Sequence, residues 1–369
     1  MLTTARLVMF SQHRVHTGPI LDSFGSVSDD EVLQLINKLP SKSSSCDILP
    51  VSLLKCCADV FGSVVARIVN LLSERCFPTP SGFKIAQVSL LLKKLELDCT
   101  DPANYQLISN LLTVSKLVEH LVLVRLRPHL LASANFNPLH LAYRTGHSTE
   151  STNLIKILDD FYAGINNKQL TILVSLDISV AFVTICHPKL LQRLCDDFEV
   201  CGTTLNWIDS YVSNRQQFVK TGQYLAPTTY CTSGVLQGSV LRPLLFAAYM
   251  SPFADVKSTH GMLFHQYADD TQLYVAAKAK VDTADALKTV SSCTYAVQSW
   301  FLLNDVLLNP DKSEVVVIGT QTQIKAYPCG DHVDDARVVL QMPRRSHADD
   351  LLAQLHWLPV SYRIKYKIV

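Results

Sequence analysis

The sequence predicts an α+β fold, a split β-α-β-β-α-β unit with acidic residues at its strand ends, and three observations predict it. Leu154, Ile157, Leu158 and Phe161 recur at helical spacing. The apolar runs Leu170 to Leu176 and Glu314 to Ile318 are short and read as strands. Between them, the string FHQYADDTQLYV sets Asp269 and Asp270 between Met262-Leu263-Phe264 and Leu273-Tyr274-Val275, the pattern of a β-hairpin with acids at its tip.

The remaining elements follow in order. Ser28-x-x-Glu31 is a capping box that opens an amphipathic helix through Val32, Leu33, Leu35, Ile36 and Leu39, ended by Pro40. A second helix is expected over Val51 to Cys76, before the break at Pro78, Pro80 and Gly82. A buried strand, Ala86 to Leu92, closes on Lys93 and Lys94, and Ser115 to Arg127 is helical with Leu117, Leu121 and Val124 on one face. Helices are further expected over Thr149 to Asn166, Pro188 to Phe198, Thr204 to Val212, Ser239 to Met250 and Ala284 to Leu303. A short strand pair precedes Ser239. No internal repeat is visible, and periodicity fades between Gly319 and Leu351.

Composition narrows the function classes. A chain of 369 residues with 48% hydrophobic content and a mean hydropathy of +0.18 has a substantial core to bury. The net charge of +1 argues against a strongly basic nucleic-acid binder, while leaving local basic patches open. The eleven cysteines form no C-x-x-C pair, which excludes a zinc ribbon, and their scatter suits reduced thiols in nucleus or cytoplasm. The two longest apolar stretches carry Asp177 or Arg242-Pro243, which favours buried core over a membrane span.

The chemistry-bearing feature is the hairpin. Two adjacent carboxylates flanked by buried side chains are electrostatically costly, and oxygen-rich acids are the hard ligands that Mg²⁺ prefers. A Y-x-D-D match arises by chance in about one chain in thirty of this length, so Tyr267-Ala268-Asp269-Asp270 needs partners. Asp177, at the end of its own strand, reads alone as a turn or helix-capping aspartate. Beside the hairpin acids it reads as the third ligand of a two-metal centre, whose ions lie about 4 Å apart.

Five ordered blocks carry a family likeness: ANYQLISNLLTVSKLVEHLVLVRL, AYRTGHSTE, SLDISVAFVTICH, SGVLQGSVLRPLLFAAYM, and YADDTQLY with QSWFLLNDVLLNPDKSEVVVIGT. Together they resemble the reverse transcriptases of non-LTR (LINE-type) retrotransposons, from about residue 20 to 320, and LLAQLHWLPVSYRIKYKIV resembles a segment further downstream. The resemblance implies a right-hand polymerase with a split βαβ palm. Residues 1–80 would be an N-terminal helical segment, 81–320 fingers and palm, and 321–369 a partial thumb or C-terminal remnant. The implied activity is RNA-directed DNA synthesis from dNTPs on a DNA primer and an RNA template. Two Mg²⁺ ions, with Mn²⁺ as a substitute, would sit on Asp177, Asp269, Asp270 and the Ile178 carbonyl.

The same resemblance assigns further residues. Phe182 would sit under the sugar and select deoxynucleotides, or else be ordinary core. Gln237 and Gly238 form a turn through which backbone approaches nucleotide or template. Lys312 either protonates the leaving pyrophosphate or is a solvated surface lysine. Lys93 and Lys94 would meet triphosphate or template backbone, and Arg144 and His147 would contact a phosphate or simply form a helix-entry loop.

Departures from the family pattern are as specific as the matches. The family's arginine-proline in N-Y-R-P-I-S is Gln106-Leu107, and its A-F-D-T-V-D-H block reads Ala181 to His187 with Val183 and Cys186 replacing both aspartates. The proline before Gln237 is Leu236, and a family glycine is Arg242. With no endonuclease ahead of the palm, no zinc knuckle behind it and only residues 321–350 before the Leu351 segment, the expectation is a decayed, internally deleted copy. A separate endonuclease partner and an inactive nucleic-acid-binding remnant both remain compatible with these residues.

Overall fold

The structure is a computed structural model and describes residues 18–41, 43–74, 79–137, 155–179, 182–258, 260–267, 270–278 and 283–320. The chain divides into two compact units that alternate along the sequence: Arg14–Phe136 with Phe182–Tyr249, and Asn137–Ala181 with Met250–Val369. Both mix helices and sheet, in agreement with the predicted α+β class.

The first unit begins with α1 (Asp29–Lys38), capped by the Ser28 hydroxyl, which accepts from the Glu31 amide at 3.2 Å. The single helix expected over Val51 to Cys76 is two, α2 (Val51–Cys56) and α3 (Ala58–Glu74), because Cys57 leaves helical geometry with φ −115° and ψ 34°. Asn70 of α3 clasps the backbone of Val27 through both amide atoms, accepting at 2.7 Å and donating at 2.9 Å. α4 (Thr113–Ala132) runs beyond the expected Ser115 to Arg127 and through Pro128. Its start is capped from afar, as Asp47 accepts from the Thr113 amide at 2.7 Å and hydroxyl at 2.6 Å. Leu117 and Leu121 are buried as expected, but Val124 is exposed, and the buried stripe runs instead through Val118, Val122, Leu126 and Leu130.

The five-stranded sheet of this unit pairs β1 (Ile85–Leu92) with β2 (Tyr105–Asn110) antiparallel, and β1 with β4 (Arg215–Thr221) parallel. β5 (Tyr224–Leu225) and β6 (Thr229–Cys231) extend β4 as antiparallel partners. β2 was not expected from sequence, since Tyr105-Gln106-Leu107 alternates weakly. α6 (His187–Asp196), α7 (Gly202–Val212) and α8 (Arg242–Met250) complete the unit, close to their expected spans. A ring column, Phe24 edge-on to Trp207 at 6.0 Å and Trp207 stacked on Tyr211 at 5.3 Å, fills its core.

The second unit holds α5 (Ile155–Asn166), β3 (Gln169–Ser179), α9 (Phe253–Ser258), β7 (Leu263–Tyr267), β8 (Asp270–Lys278), α10 (Thr283–Leu303) and β9 (Leu307–Ile318). The sheet is antiparallel throughout, in the order β7-β8-β3-β9. Leu170, Ile172, Val174, Leu176 and Ile178 are all buried, the period-two signature of one covered sheet face. On the opposite face Tyr274 donates to Asp160 Oδ2 at 2.6 Å and meets Phe161 edge-on at 5.8 Å, tying α5 to β8. Phe253, Trp300 and Phe301 cluster at centroid distances of 4.9 to 5.7 Å between α9 and α10.

Two strands are longer than expected. β3 continues past Leu176 to Ser179, so Asp177 lies inside the strand and not at its end. β9 starts at Leu307 instead of Glu314, because an irregularity interrupts its apolar pattern. Ser175 pairs with Glu314 and Asp177 with Asn309, so residues 310–313 stand opposite the single residue Leu176. No described helix is long and apolar enough to cross a membrane.

Candidate active site

In the second unit, the hairpin expected around Asp269 and Asp270 is present as β7 and β8, with Tyr267 paired to Asp270. Residues 268 and 269 lie outside the described residues, and with them the Asp269 carboxylate. β3 and β8 run in antiparallel register to the pair Leu176 and Thr271. The next residues along the two strands are Asp177 and Asp270, which a continued register sets opposite each other. Directly opposed residues share a sheet face, so both carboxylates project from the side opposite Leu176 and Thr271. Asp177 is half-buried and Asp270 exposed.

The Asp177 backbone is held by the irregular β9. Its amide donates to Ser313 Oγ at 3.2 Å, and that hydroxyl donates to the Asn309 carbonyl at 2.7 Å. Ser313 is buried, while Lys312, one residue earlier in the same segment, is exposed. Among the described residues no hydrogen bond or ion pair engages the Asp177 carboxylate. Two like charges opposed on one face repel, and hard cations relieve that repulsion, so the donor set fits Mg²⁺. Ile178 has its side chain buried beside Leu308, which leaves its backbone carbonyl as the ligand group to consider. The described residues alone contain no cluster of three metal-ligating side chains.

In the first unit, the turn at Gln237 and Gly238 is tightly built. Gly238 has φ +94°, and a Cβ there would lie 2.5 Å from the Ser109 carbonyl oxygen, so only glycine fits without displacement. Gln237 is half-buried, and the Ser239 amide closes the turn by donating to the Leu236 carbonyl at 3.2 Å. Beneath it, Glu119 of α4 is 1% exposed and its Oε2 accepts from the Ser239 hydroxyl at 2.8 Å, the Val240 amide at 2.6 Å and the Leu241 amide at 3.4 Å.

Phe182 packs on Phe246 at a centroid distance of 4.4 Å, and the Arg242 guanidinium lies 4.1 Å from the centre of the Phe182 ring. The unexpected arginine is thus accommodated by a cation–π contact. Residues 182–185 are sewn to 234–235: the Val235 amide donates to the Phe182 carbonyl at 3.0 Å, and the Gly234 amide to the Ile185 carbonyl at 2.8 Å. Gly234 has φ +77°, and a Cβ there would stand 2.6 Å from Val183 Cα. The Val183 side chain itself is exposed, so the change from a family aspartate leaves this backbone seam intact. His187 Nε2 donates to the Gly234 carbonyl at 2.8 Å, which gives that histidine a structural role.

Lys93 and Lys94 are both exposed where β1 turns toward β2, with the Lys93 amide donating to the Asn104 carbonyl at 2.9 Å. Gln106 and Leu107 pair with Leu91 and Leu90 on the same ribbon and are exposed. Arg144 and His147 lie outside the described residues. The acids and Lys312 therefore belong to one unit, and Phe182, Gln237, Gly238, Lys93 and Lys94 to the other. Sequence reasoning passed over Glu119 and Ser313. A lone acid within the apolar run Leu117 to Val124 was the available signal for the first; nothing local marks the second.

The chain belongs to the reverse transcriptase (RNA-dependent DNA polymerase) family, whose sequence pattern matches residues 92–344. It is similar to the RNA-directed DNA polymerase from mobile element jockey of Drosophila melanogaster, at 26% identity over 304 residues, covering 80% of this chain and 32% of that protein. It is also similar to the probable RNA-directed DNA polymerases from transposon X-element (25% identity; 64% of this chain and 26% of that protein) and transposon BS (25%; 77% and 31%) of the same fly. The chain thus spans about a third or less of the length of these relatives. These matches bear out the resemblance read from the motif blocks.

Proposed function

We propose that this chain is an RNA-directed DNA polymerase domain of a LINE-type element, with fingers and palm in residues 81–320. The observation that carries the reading is the β3–β8 register, which ends at Leu176 and Thr271, the residues next to Asp177 and Asp270, within the family match. The strand order β7-β8-β3-β9 supports reading this sheet as a split βαβ palm. On this reading Asp177, Asp269, Asp270 and the Ile178 carbonyl hold two Mg²⁺ ions, with Mn²⁺ as a substitute. When bound, the ions lower the pKa of the primer 3′-hydroxyl and stabilise the leaving pyrophosphate. The 3′-oxygen bonds to the α-phosphorus of the dNTP as the bond to the β-phosphate oxygen breaks, the hydroxyl proton passing to solvent water, and Lys312 supplies a proton to the pyrophosphate. Gln237 and Gly238 bring backbone to the nucleotide, while Lys93 and Lys94 meet phosphates. RNA template, DNA primer and dNTP are the partners, in nucleus or cytoplasm.

Primer extension on RNA with Mg²⁺ or Mn²⁺ tests this. Incorporation that disappears in Asp177→Ala and Asp269→Ala supports the polymerase; folded protein that binds primer–template yet extends nothing with either metal overturns it. One observation favours a second reading, an inactive nucleic-acid-binding remnant: Arg242 covers the ring of Phe182, the residue expected beneath the sugar.

A further inference from the structure

Glu119 is a buried carboxylate that the proposed chemistry does not use. It sits on α4, 120 residues before the segment it grips, and three donors converge on its Oε2. Two are the amides of Val240 and Leu241, which lead into α8, and the third is the Ser239 hydroxyl directly after the Gln237-Gly238 turn. Because Ser239 donates its proton to Glu119, the short contact between Ser239 and Tyr211 requires the phenol to donate. Burial first, and then the Glu119 charge, push the Tyr211 phenol up, which keeps it protonated as that donor.

Tyr211 in turn carries Arg215, whose guanidinium carbon lies 4.2 Å from the ring centre and whose Nε donates to the Tyr211 carbonyl at 2.6 Å. Arg215 is 2% exposed. A buried acid and a buried base are thus linked through one phenol and one serine, a connected polar network inside an apolar unit. A carboxylate accepting several donors fixes those groups more firmly than neutral partners do. The groups fixed here are the residues next to Gly238, whose left-handed backbone packs against the Ser109 carbonyl.

We infer that Glu119 is a positioning residue: its carboxylate, backed by the Tyr211–Arg215 pair, sets the conformation in which the Gln237-Gly238 turn receives the incoming nucleotide. This rests on the proposed nucleotide contact of that turn. The full chain, loaded with a dideoxy-terminated primer on RNA template, is assayed for binding of the next complementary dNTP in Mg²⁺, and amide hydrogen exchange is followed at residues 240 and 241. Glu119→Gln is expected to speed exchange at both amides and weaken dNTP binding about tenfold, the scale of one lost charge-assisted hydrogen bond, without changing primer–template affinity. Ser239→Ala gives a smaller change of the same sign and serves if Glu119→Gln does not fold.

Gln237→Ala weakens dNTP binding with exchange unchanged, and the double variant Glu119→Gln/Gln237→Ala falls short of the product of the single effects. If Gln237→Ala weakens dNTP binding while Glu119→Gln leaves it unaltered, Glu119 is only a structural cap and the inference is overturned. If Gln237→Ala also leaves dNTP binding unaltered, the nucleotide reading of the turn fails, and the positioning role with it.

Discussion

The hydroxyl of Ser313 receives the Asp177 amide at 3.2 Å while donating to the Asn309 carbonyl at 2.7 Å. One buried side chain thereby closes the irregular segment of β9 and satisfies the backbone of the strand that bears a candidate metal ligand. The same segment carries Lys312, so the position of both residues depends on how residues 310–313 are folded.

Replacing Ser313 by alanine removes a hydrogen bond worth about 1 kcal/mol, and leaves the Asp177 amide without this partner. Ser313→Ala should raise the Mn²⁺ concentration for half-saturation, read by electron paramagnetic resonance, about fivefold, the equivalent of that energy. Ser313→Thr, which keeps the hydroxyl, should restore it. Unchanged metal binding in Ser313→Ala would show that the contact is purely structural.

Phe182 offers a test between its two roles. With Phe246 at 4.4 Å and Arg242 at 4.1 Å, Phe182→Ala is expected to lower stability by about 3 kcal/mol in a thermal or urea melt. A ring under the sugar adds a second effect, a rise in ribonucleotide incorporation. Stability loss alone, with discrimination unchanged, assigns Phe182 to the core.

Arg242→Gly restores the family residue and removes the cation–π contact. We expect a loss of about 1 kcal/mol of stability, from the lost contact and the freer glycine backbone. If the guanidinium obstructs Phe182, primer extension rises in the same variant. An unchanged rate shows that Arg242 is not what limits the site.

Glu31 gives a pH signature. Paired hydrogen bonds from Arg125 at 2.8 and 2.9 Å hold the Glu31 carboxyl below its ordinary value, against a smaller opposing effect of burial. A carboxylate depressed in the folded state contributes stability above its unfolded pKa and loses it as pH falls through the folded one. Stability should therefore drop from about pH 5 downward, with Glu31→Gln flattening that limb by no more than about 1 kcal/mol, because solvent screens this partly exposed pair. An identical acid limb in Glu31→Gln means other carboxylates set it.

Gly234→Ala meets both a left-handed φ of +77° and the Val183 backbone at 2.6 Å. The expected cost is about 1–3 kcal/mol, seen as a lower unfolding midpoint, because neither neighbour is a flexible side-chain end. Gly222, with φ +59° and open space around it, is the control, where alanine meets only the backbone strain.

Much of the architecture was legible along the chain. The Tyr267 hairpin, the Leu170 strand, α7 and α10 follow from periodicity, and the Ser28 cap from a three-residue spacing. β2 escaped notice because its exposed Gln106 and Leu107 break the alternation. β9 was read too short, because Pro310, Asp311 and Lys312 interrupt its apolar pattern.

The sequence by itself determined the family and the α+β class, and it put forward the acids at 177, 269 and 270 as candidates, since ordered motif blocks along the chain carry all of them. Only the tertiary structure decided that β1 and β4 pair in parallel, that Ser313 braces Asp177, and that Glu119 grips residues 239–241. Those pairings join residues far apart in sequence, and their energy comes from desolvating donors and acceptors against each other in a packed interior. No spacing along the chain records which buried acid will meet which amide.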